Sequence, residues 1–432
     1  MEDLGSTRSV RRCCSSSSLI RSLPPHMDRL TEELVIEVLQ RLPLKDANRC
    51  KCVCKRWLNS ISSPYFARCY NRHCFSFPPP FALFFQYKNA SRWEVPVNLK
   101  GIQSANNAYN HPVLNSSGFS LSFLPPSSSS SQPSEPVRFL ASSNGLVICS
   151  PTILYQKLYY VCNPLTMHWV ALPPPPTCHI RVRIGFISTP DFDNGIISRF
   201  KVVRIPEFEK CSRLYTDLSL EIFSSETGEW TDFVISLHKP VFGCFFLCDS
   251  AVVCNGMLHW ENVYIHDIFA YDPSKTANYQ EFRTIPYPKE CLKGAHVHLF
   301  GVSQGHLRYA EFDKGTFKVW EVKEYNSGEW GLVHKFAQSE LVVREDPNLA
   351  KFKTDPLAKF KFRNYSGSIT MLAFHPIEGD VMFLDWHRRI FECNMRSRSL
   401  KWLCSLADPT ASIHRTIFPY VLPWWPISLP QC

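Results

Sequence analysis

Cysteine and histidine are the residues whose chemistry would be decisive here if their spacing brought them together. Cys50, Cys52 and Cys54 fall at every second position, and Cys244 and Cys248 are separated by three intervening residues. A structural zinc needs four thiolate or imidazole ligands on one ion, normally from two closely spaced pairs. On a helix, the every-second spacing fans the thiols around the axis, and Cys244 with Cys248 lacks a second pair, so no metal site is expected. His296 and His298 would share one face of a strand, yet no carboxylate or third histidine is near them in sequence. They are expected as satisfied surface histidines, and Asp385-Trp386-His387 is read the same way. A glycine-rich phosphate loop, a Gly-x-Ser-x-Gly elbow and a His-Glu-x-x-His helix are all missing. With no nucleophile beside an arranged base, the expectation is no catalytic residue, no metal and no cofactor.

The elements that would position any site divide by composition. A chain of 432 residues, 45% hydrophobic and 20% charged, is globular and long enough for more than one core. Its 18 cysteines, in a sequence without a secretory signal pattern, are expected as reduced thiols, many of them small buried hydrophobes. The net charge of +9 is modest and scattered. Lys351-Phe352-Lys353 and Lys359-Phe360-Lys361-Phe362-Arg363 alternate basic with apolar residues, as a half-buried strand with a solvated basic face would, and no nucleic-acid partner is inferred. No apolar run approaches the roughly 18 residues of a membrane span, so no membrane partner is expected. Residues 1–26 are basic and serine-rich, and read as a disordered leader.

Residues 27–70 carry helical periodicity. Leu34, Val35, Val38 and Leu39, continued by Leu30 and Leu42, form an apolar stripe opposite Glu32, Glu33, Glu37, Gln40 and Arg41. Thr31 is placed to cap this helix, with Glu32 and Glu33 in the first turn, where the helix dipole favours negative charge. Leu42-Pro43 ends it, since a residue before proline is pushed out of helical geometry. A second short helix is expected from Lys45-Asp46 toward Cys52 and a third from Val53 to Ile61. So few residues cannot bury all that apolar surface alone, and part of the stripe is expected to await a partner.

This segment resembles the F-box, the adaptor-docking module of SCF-type ubiquitin ligases. The resemblance runs over residues 30 to 66: Leu30, Glu37-Val38-Leu39, Arg41-Leu42-Pro43, Val53-Cys54-Lys55-Arg56-Trp57, then Ile61, Pro64 and Phe66. Thr31 stands where the family usually has proline, and Asn48 where leucine is common. The resemblance implies a docking surface for a Skp-type adaptor, and through it a cullin scaffold, made by Leu30, Leu34, Leu39, Leu42, Pro43, Val53, Cys54 and Trp57.

From Cys74 onward the pattern is strand-like, in short alternating runs punctuated by Pro, Asn and Gly, with most of the 31 Phe, 16 Tyr and 11 Trp. Residues 125–136, rich in serine and proline, read as a surface loop. A weak repeat of strand, turn and aromatic-bearing strand recurs five times. It links Tyr160–Pro164 to Trp169, Ile222–Gly228 to Trp230, Ala270–Pro273 to Phe282, Glu324–Gly328 to Trp330, and Phe391–Asn394 to Trp402. Its spacing averages about 58 residues, somewhat longer than a propeller blade's roughly 40 to 50, and dividing residues 74–432 by that spacing predicts about six blades. Asn144-Gly145 and Asn255-Gly256 are expected to be tight hairpin turns and the tryptophans buried wedges between sheets.

These units are similar to the kelch-like F-box-associated domain of plant-type F-box proteins. The likeness rests on Ser143-Asn144-Gly145-Leu146, Cys162-Asn163-Pro164-Leu165-Thr166 with Trp169, Asn255-Gly256-Met257-Leu258-His259-Trp260, and Ser327-Gly328-Glu329-Trp330. The fold class expected is multidomain α plus all-β: a small three-helix F-box, then a propeller-like domain of about six blades over residues 74–432. The two are expected to fold separately, without a shared core. The resemblance implies a non-catalytic substrate receptor in the nucleus and/or cytoplasm, whose β domain binds a target protein for ubiquitination. The alternative is a propeller that binds a small molecule or glycan in a non-degradative complex.

Overall fold

A computed structural model describes residues 30–74, 81–88, part of 121–125, most of 137–343 and 369–405, residues 412–421, Trp425 and Leu429. The leader, nearly all of the serine- and proline-rich loop, both basic-aromatic runs, Cys244, Cys248, His296 and His387 lie outside the described residues.

The N-terminal unit has four helices where three were expected: α1 (Glu32–Leu39), α2 (Leu44–Arg49), α3 (Lys55–Ser62) and α4 (Pro64–Cys74), with a 3-10 turn at Cys50–Cys52. Thr31 caps α1 as its type suggests, its Oγ1 accepting from the Leu34 amide. The third helix begins two residues later than expected, because Cys54 is extended and its Sγ accepts from the Trp57 amide at 3.5 Å. Pro64 opens α4, a position where its missing N–H costs nothing. The helices close on Val35, Ile36, Leu39, Ala47, Ile61, Phe66 and Tyr70. The Tyr70 hydroxyl donates to the Leu42 carbonyl at 2.9 Å, and Arg56 donates to the Leu30 carbonyl, so both ends of α1 are tied down.

The β region begins with β1 (Phe81–Lys88) and continues in five blades, each an antiparallel meander. The first comprises β2 (Arg138–Ser143), β3 (Leu146–Ser150), β4 (Tyr160–Asn163) and β5 (His168–Ala171); the second, β6 (Val182–Asp191), β7 (Ile196–Pro206), β8 (Leu214–Ser224) and β9 (Glu229–Phe242). The third holds β10 (Val252–Cys254), β11 (Met257–Asn262), β12 (Asp267–Tyr271) and β13 (Phe282–Pro286). The fourth holds β14 (Val297–Ser303), β15 (His306–Asp313), β16 (Thr316–Glu324) and β17 (Glu329–Ala337). The fifth gathers β18 (Val342–Val343), β19 (Ile369–Phe374), β20 (Val381–Trp386), β21 (Arg389–Asn394) and β22 (Ser399–Ser405), with β18 added parallel to β22 as an outer edge. Last comes β23 (Ser412–Val421), antiparallel to β1.

First strands face one another around the ring: β2 meets β6, β6 meets β10, β10 meets β14 and β14 meets β19. β23 lies against both β19 and β2, so the two-stranded β1·β23 sheet fills the remaining sector. Six apolar cores separate the sectors; those on either side of β1·β23 are built on Phe81 and Leu83 with Phe383, and on Tyr420 with Phe139 and Tyr160. Among the described residues, the expected propeller of about six blades thus becomes five blades and a two-stranded seam. Each repeat read from the sequence is the hairpin joining the third and fourth strands of one blade, so the repeat count of five was the blade count.

Asn144-Gly145 and Asn255-Gly256 turn between first and second strands with φ positive at both residues, as two-residue hairpins require. The turns also hold neighbouring sectors together. Asn144 Nδ2 donates to the Ser188 carbonyl at 2.7 Å, the Gln304 amide to the Pro376 carbonyl at 2.9 Å, and the Tyr420 hydroxyl to the Gly145 carbonyl at 2.8 Å.

The two modules do share a core. Trp425, four residues beyond β23, is buried among Phe66, Tyr70 and the other residues of the helical core. A contact between residues so distant in sequence leaves no local pattern, which is why separate folding was expected.

Candidate functional site

The apolar stripe of α1 resolves into two rows. Successive helical residues point about 100° apart, so Leu34 and Val38 form one row and Val35 and Leu39 the next. Val35, Ile36 and Leu39 turn into the core, whereas Leu34 and Val38 are 51% and 57% exposed. Glu37 of the same helix pairs with Arg41, just past its C-terminal end, on the solvent side.

The other residues expected to dock a partner fall into three settings. Leu39 is 1% exposed, so it holds α1 on the core and presents nothing to a partner. Leu30, Leu42 and Trp57 are half-buried against that core, and Cys54 is half-buried as the cap of α3. Pro43 and Val53 are exposed. Three further apolar side chains stand in solvent: Val38, Leu58 and Tyr65. Val38 was legible from its position four residues after Leu34. Leu58 and Tyr65 follow from helix boundaries that sequence alone set differently. Asn48, at the family's leucine position, donates from Nδ2 to the Leu44 carbonyl at 3.1 Å, so its amide is satisfied inside its own helix.

In the ring, the buried arginines Arg204 and Arg308 are each paired with a glutamate. Arg204 of β7 is fully buried, its Nε donating to the Tyr159 hydroxyl at 2.9 Å and its Nη1 to Glu221 of β8. The guanidinium lies 5.6 Å from the centres of both the Tyr159 and Trp230 rings. Burial pushes the Glu221 carboxyl up and Arg204 pulls it back. The fourth blade repeats the device: Arg308 of β15 donates to Glu321 of β16 and reaches the Gly379 carbonyl of the fifth blade. Although burial works against its charge, Arg308 and Lys323 hold the Glu321 carboxyl below its usual range. With their donors engaged, these arginines tie strands and blades together.

His298 departs from the surface position expected of it. Its side chain is only 4% exposed, with Nε2 3.2 Å from Glu261 Oε1, and Glu261 also accepts from the Tyr287 hydroxyl at 2.7 Å. The carboxylate comes from β11 of the neighbouring blade, too far away in sequence to be paired with His298 by spacing. Asp385 is half-buried and Trp386 buried in β20. Among the described residues no three His, Cys, Asp or Glu side chains converge on one point as metal ligands. Cys149, Cys162, Cys254 and Cys393 are free and buried, and burial pushes the thiols of Cys149, Cys254 and Cys393 up, as for inert packing groups.

The rim of the ring farther from the helical unit carries exposed apolar residues. Val421, at the end of β23, lies beside the turns between first and second strands, and Trp425 follows it. On the opposite rim, Leu154 and Tyr155 between β3 and β4, and Ile180 between β5 and β6, are exposed, and the Tyr155 amide donates to the Ile180 carbonyl at 3.0 Å.

Two family models match this chain: the F-box domain over residues 27–69, and the β-propeller of "F-box protein At3g26010-like" over residues 116–417. Among curated relatives, the Arabidopsis thaliana "F-box protein At3g26010" is 27% identical over 394 residues, spanning 85% of this chain and 78% of the relative. "Putative F-box/kelch-repeat protein At1g15680" is 27% identical over 321 residues, spanning 71% and 72%. "F-box protein At5g49610" is 28% identical over 316 residues, spanning 70% and 77%; both are also from Arabidopsis thaliana.

Proposed function

Because the chain belongs to the plant-type F-box proteins with a C-terminal β-propeller of the At3g26010-like family, we propose that it is the substrate-recognition subunit of an SCF-type cullin ubiquitin ligase. The helical unit docks a Skp-type adaptor, and the ring holds a target protein for ubiquitination and proteasomal degradation, in the nucleus and/or cytoplasm. Chemistry on this reading is proximity: the receptor raises the effective concentration of target lysines near a thioester carried by another subunit, and no side chain of this chain enters the reaction.

The observation that carries the docking half is the exposed row Leu34 and Val38 beside the buried row Val35 and Leu39. An eight-residue helix that turns two large apolar side chains to water is the kind of surface a partner covers. For the receptor half, exposed Leu154, Tyr155 and Ile180 on the distal rim favour a protein target over a small ligand, which would be enclosed in a concave pocket.

Replacing Leu34 and Val38 together with Asp in the full chain tests the docking surface. Neither side chain belongs to the core, so the fold is expected to survive, unlike a Leu42 and Pro43 substitution that would disturb a half-buried anchor. Large apolar anchors at an interface centre contribute about 2 kcal/mol each, so adaptor binding should fall by more than about tenfold at unchanged melting temperature. Undiminished co-purification of the adaptor would remove the assignment.

A further inference from the structure

The segment after β23 belongs to two cores at once. Trp425 enters the helical unit, where its ring meets Phe66 and Tyr70 at centroid distances of 5.0 Å each and the Lys51 ammonium sits 5.3 Å above it. Its backbone amide donates to Asn71 Oδ1 of α4 at 3.0 Å. Four residues on, Leu429 packs against the core between the first and second blades, the core that includes Ala141, Leu146 and Phe223. Behind both, Val421 is paired with Phe81, the first residue of β1.

These contacts close a circuit. From α4 the chain passes into β1, β1 pairs with β23, and Trp425 returns to α4. Trp425 is four residue steps from Val421, a reach of at most about 14 Å when fully extended. An anchored Trp425 therefore cannot follow the helical unit through any large swing away from the β1·β23 seam. A helical unit attached through the α4-to-β1 connection alone would be free to hinge, as domains joined by one short linker ordinarily are.

We propose that Val421, Trp425 and Leu429 are the anchor points of a strap that fixes the helical unit on the ring, with Trp425 as the residue that positions it. On the receptor reading above, on which only this consequence rests, the strap sets the direction in which the distal rim faces a docked adaptor. Arriving from beyond the last strand of the ring, the strap makes that geometry depend on a segment remote in sequence from the F-box motif.

The test reads geometry alone, so it succeeds or fails independently of adaptor docking. Non-cysteine fluorophores are placed on exposed Lys55 of α3 and exposed Glu226 of the second blade, and the distribution of distances between them is measured in the full chain. The parent is expected to show one narrow distribution, Trp425→Ala a broad one, and Trp425→Phe a narrow one, since phenylalanine keeps an aromatic group between Phe66 and Tyr70. A Gly-Ser-Gly-Ser insertion after Val421 covers the case in which Trp425→Ala unfolds the helical unit. It leaves Trp425 free to dock but slackens the strap, and should broaden the distribution while amide exchange in α4 stays slow. A broad distribution in the parent, or an insertion variant as narrow as the parent, would overturn the proposal.

Discussion

His259 shows at the scale of one residue what burial does to a titrating group. Its Nδ1 lies 3.3 Å from the Val252 carbonyl, which only accepts, so Nδ1 carries the proton and Nε2 accepts from the Tyr325 hydroxyl at 2.6 Å. Burial pushes its pKa down to about 4, and does the same to His375. In the unfolded chain both titrate near the ordinary 6.5. Between about pH 6.5 and 4 the unfolded state therefore binds protons that the folded state refuses. Stability is untouched above that window and is lost as pH falls through it, by about 1.4 kcal/mol per pH unit for each histidine once well inside it. His259→Gln should be less stable than the parent at pH 7, with the gap closing as the pH is lowered toward 4. A gap that stays constant in urea unfolding at both pH values would mean that His259 is not held neutral. The sequence marked His259 only as part of Asn255-Gly256-Met257-Leu258-His259-Trp260, because its partner Tyr325 belongs to the next blade.

Among the elements, the hairpin of third and fourth strands was the most legible, since turn residues and a following aromatic lie within a dozen positions. What those aromatics do was not. Trp169 is 41% exposed and packs on the edge of Tyr160, while Trp230 and Trp330 are half-buried, so they are not the enclosed wedges their recurrence suggested. Trp230 Nε1 donates to the Pro173 carbonyl and Trp330 Nε1 to the Pro286 carbonyl, each at 2.8 Å and each on the preceding blade. Both tryptophans are clasps between outer hairpins. Trp230→Phe keeps most of the packing and loses the hydrogen bond, so it should cost about 1 kcal/mol. Trp230→Ala loses both and should approach the lower end of the roughly 3 to 5 kcal/mol of a buried aromatic. Equal losses for the two variants in denaturant unfolding would show that the indole N–H contributes nothing. In the helical unit the period of α1 was equally plain, but periodicity does not say which of two adjacent apolar rows meets the core. That depended on α4, a fourth helix starting at Pro64 that was not expected.

At the scale of the whole molecule, the contiguous F-box pattern and the five hairpins were visible because their residues are neighbours in sequence, whereas the closure of the ring was not. Tyr420 donates to the Gly145 carbonyl across 275 residues of chain and is fully buried between the seam and the first blade. Contacts so distant must bear the entropy of closing a long loop before they contribute, so local hairpins are expected to form before the seam. A residue whose contacts form after the main folding barrier affects unfolding more than folding. Tyr420→Ala opens a cavity and leaves the Gly145 carbonyl without its donor, a loss of about 3 to 5 kcal/mol if the cavity does not collapse. Nearly all of it should appear as faster unfolding, by about two to four orders of magnitude, with the refolding rate almost unchanged. Phe223→Ala is the control, since Phe223 packs on Phe200 and Trp230 within one blade, and part of its loss should slow refolding. If stopped-flow measurements showed Tyr420→Ala slowing refolding as much as the control does, the seam would already be closed when the hairpins form, and the ring would assemble around it.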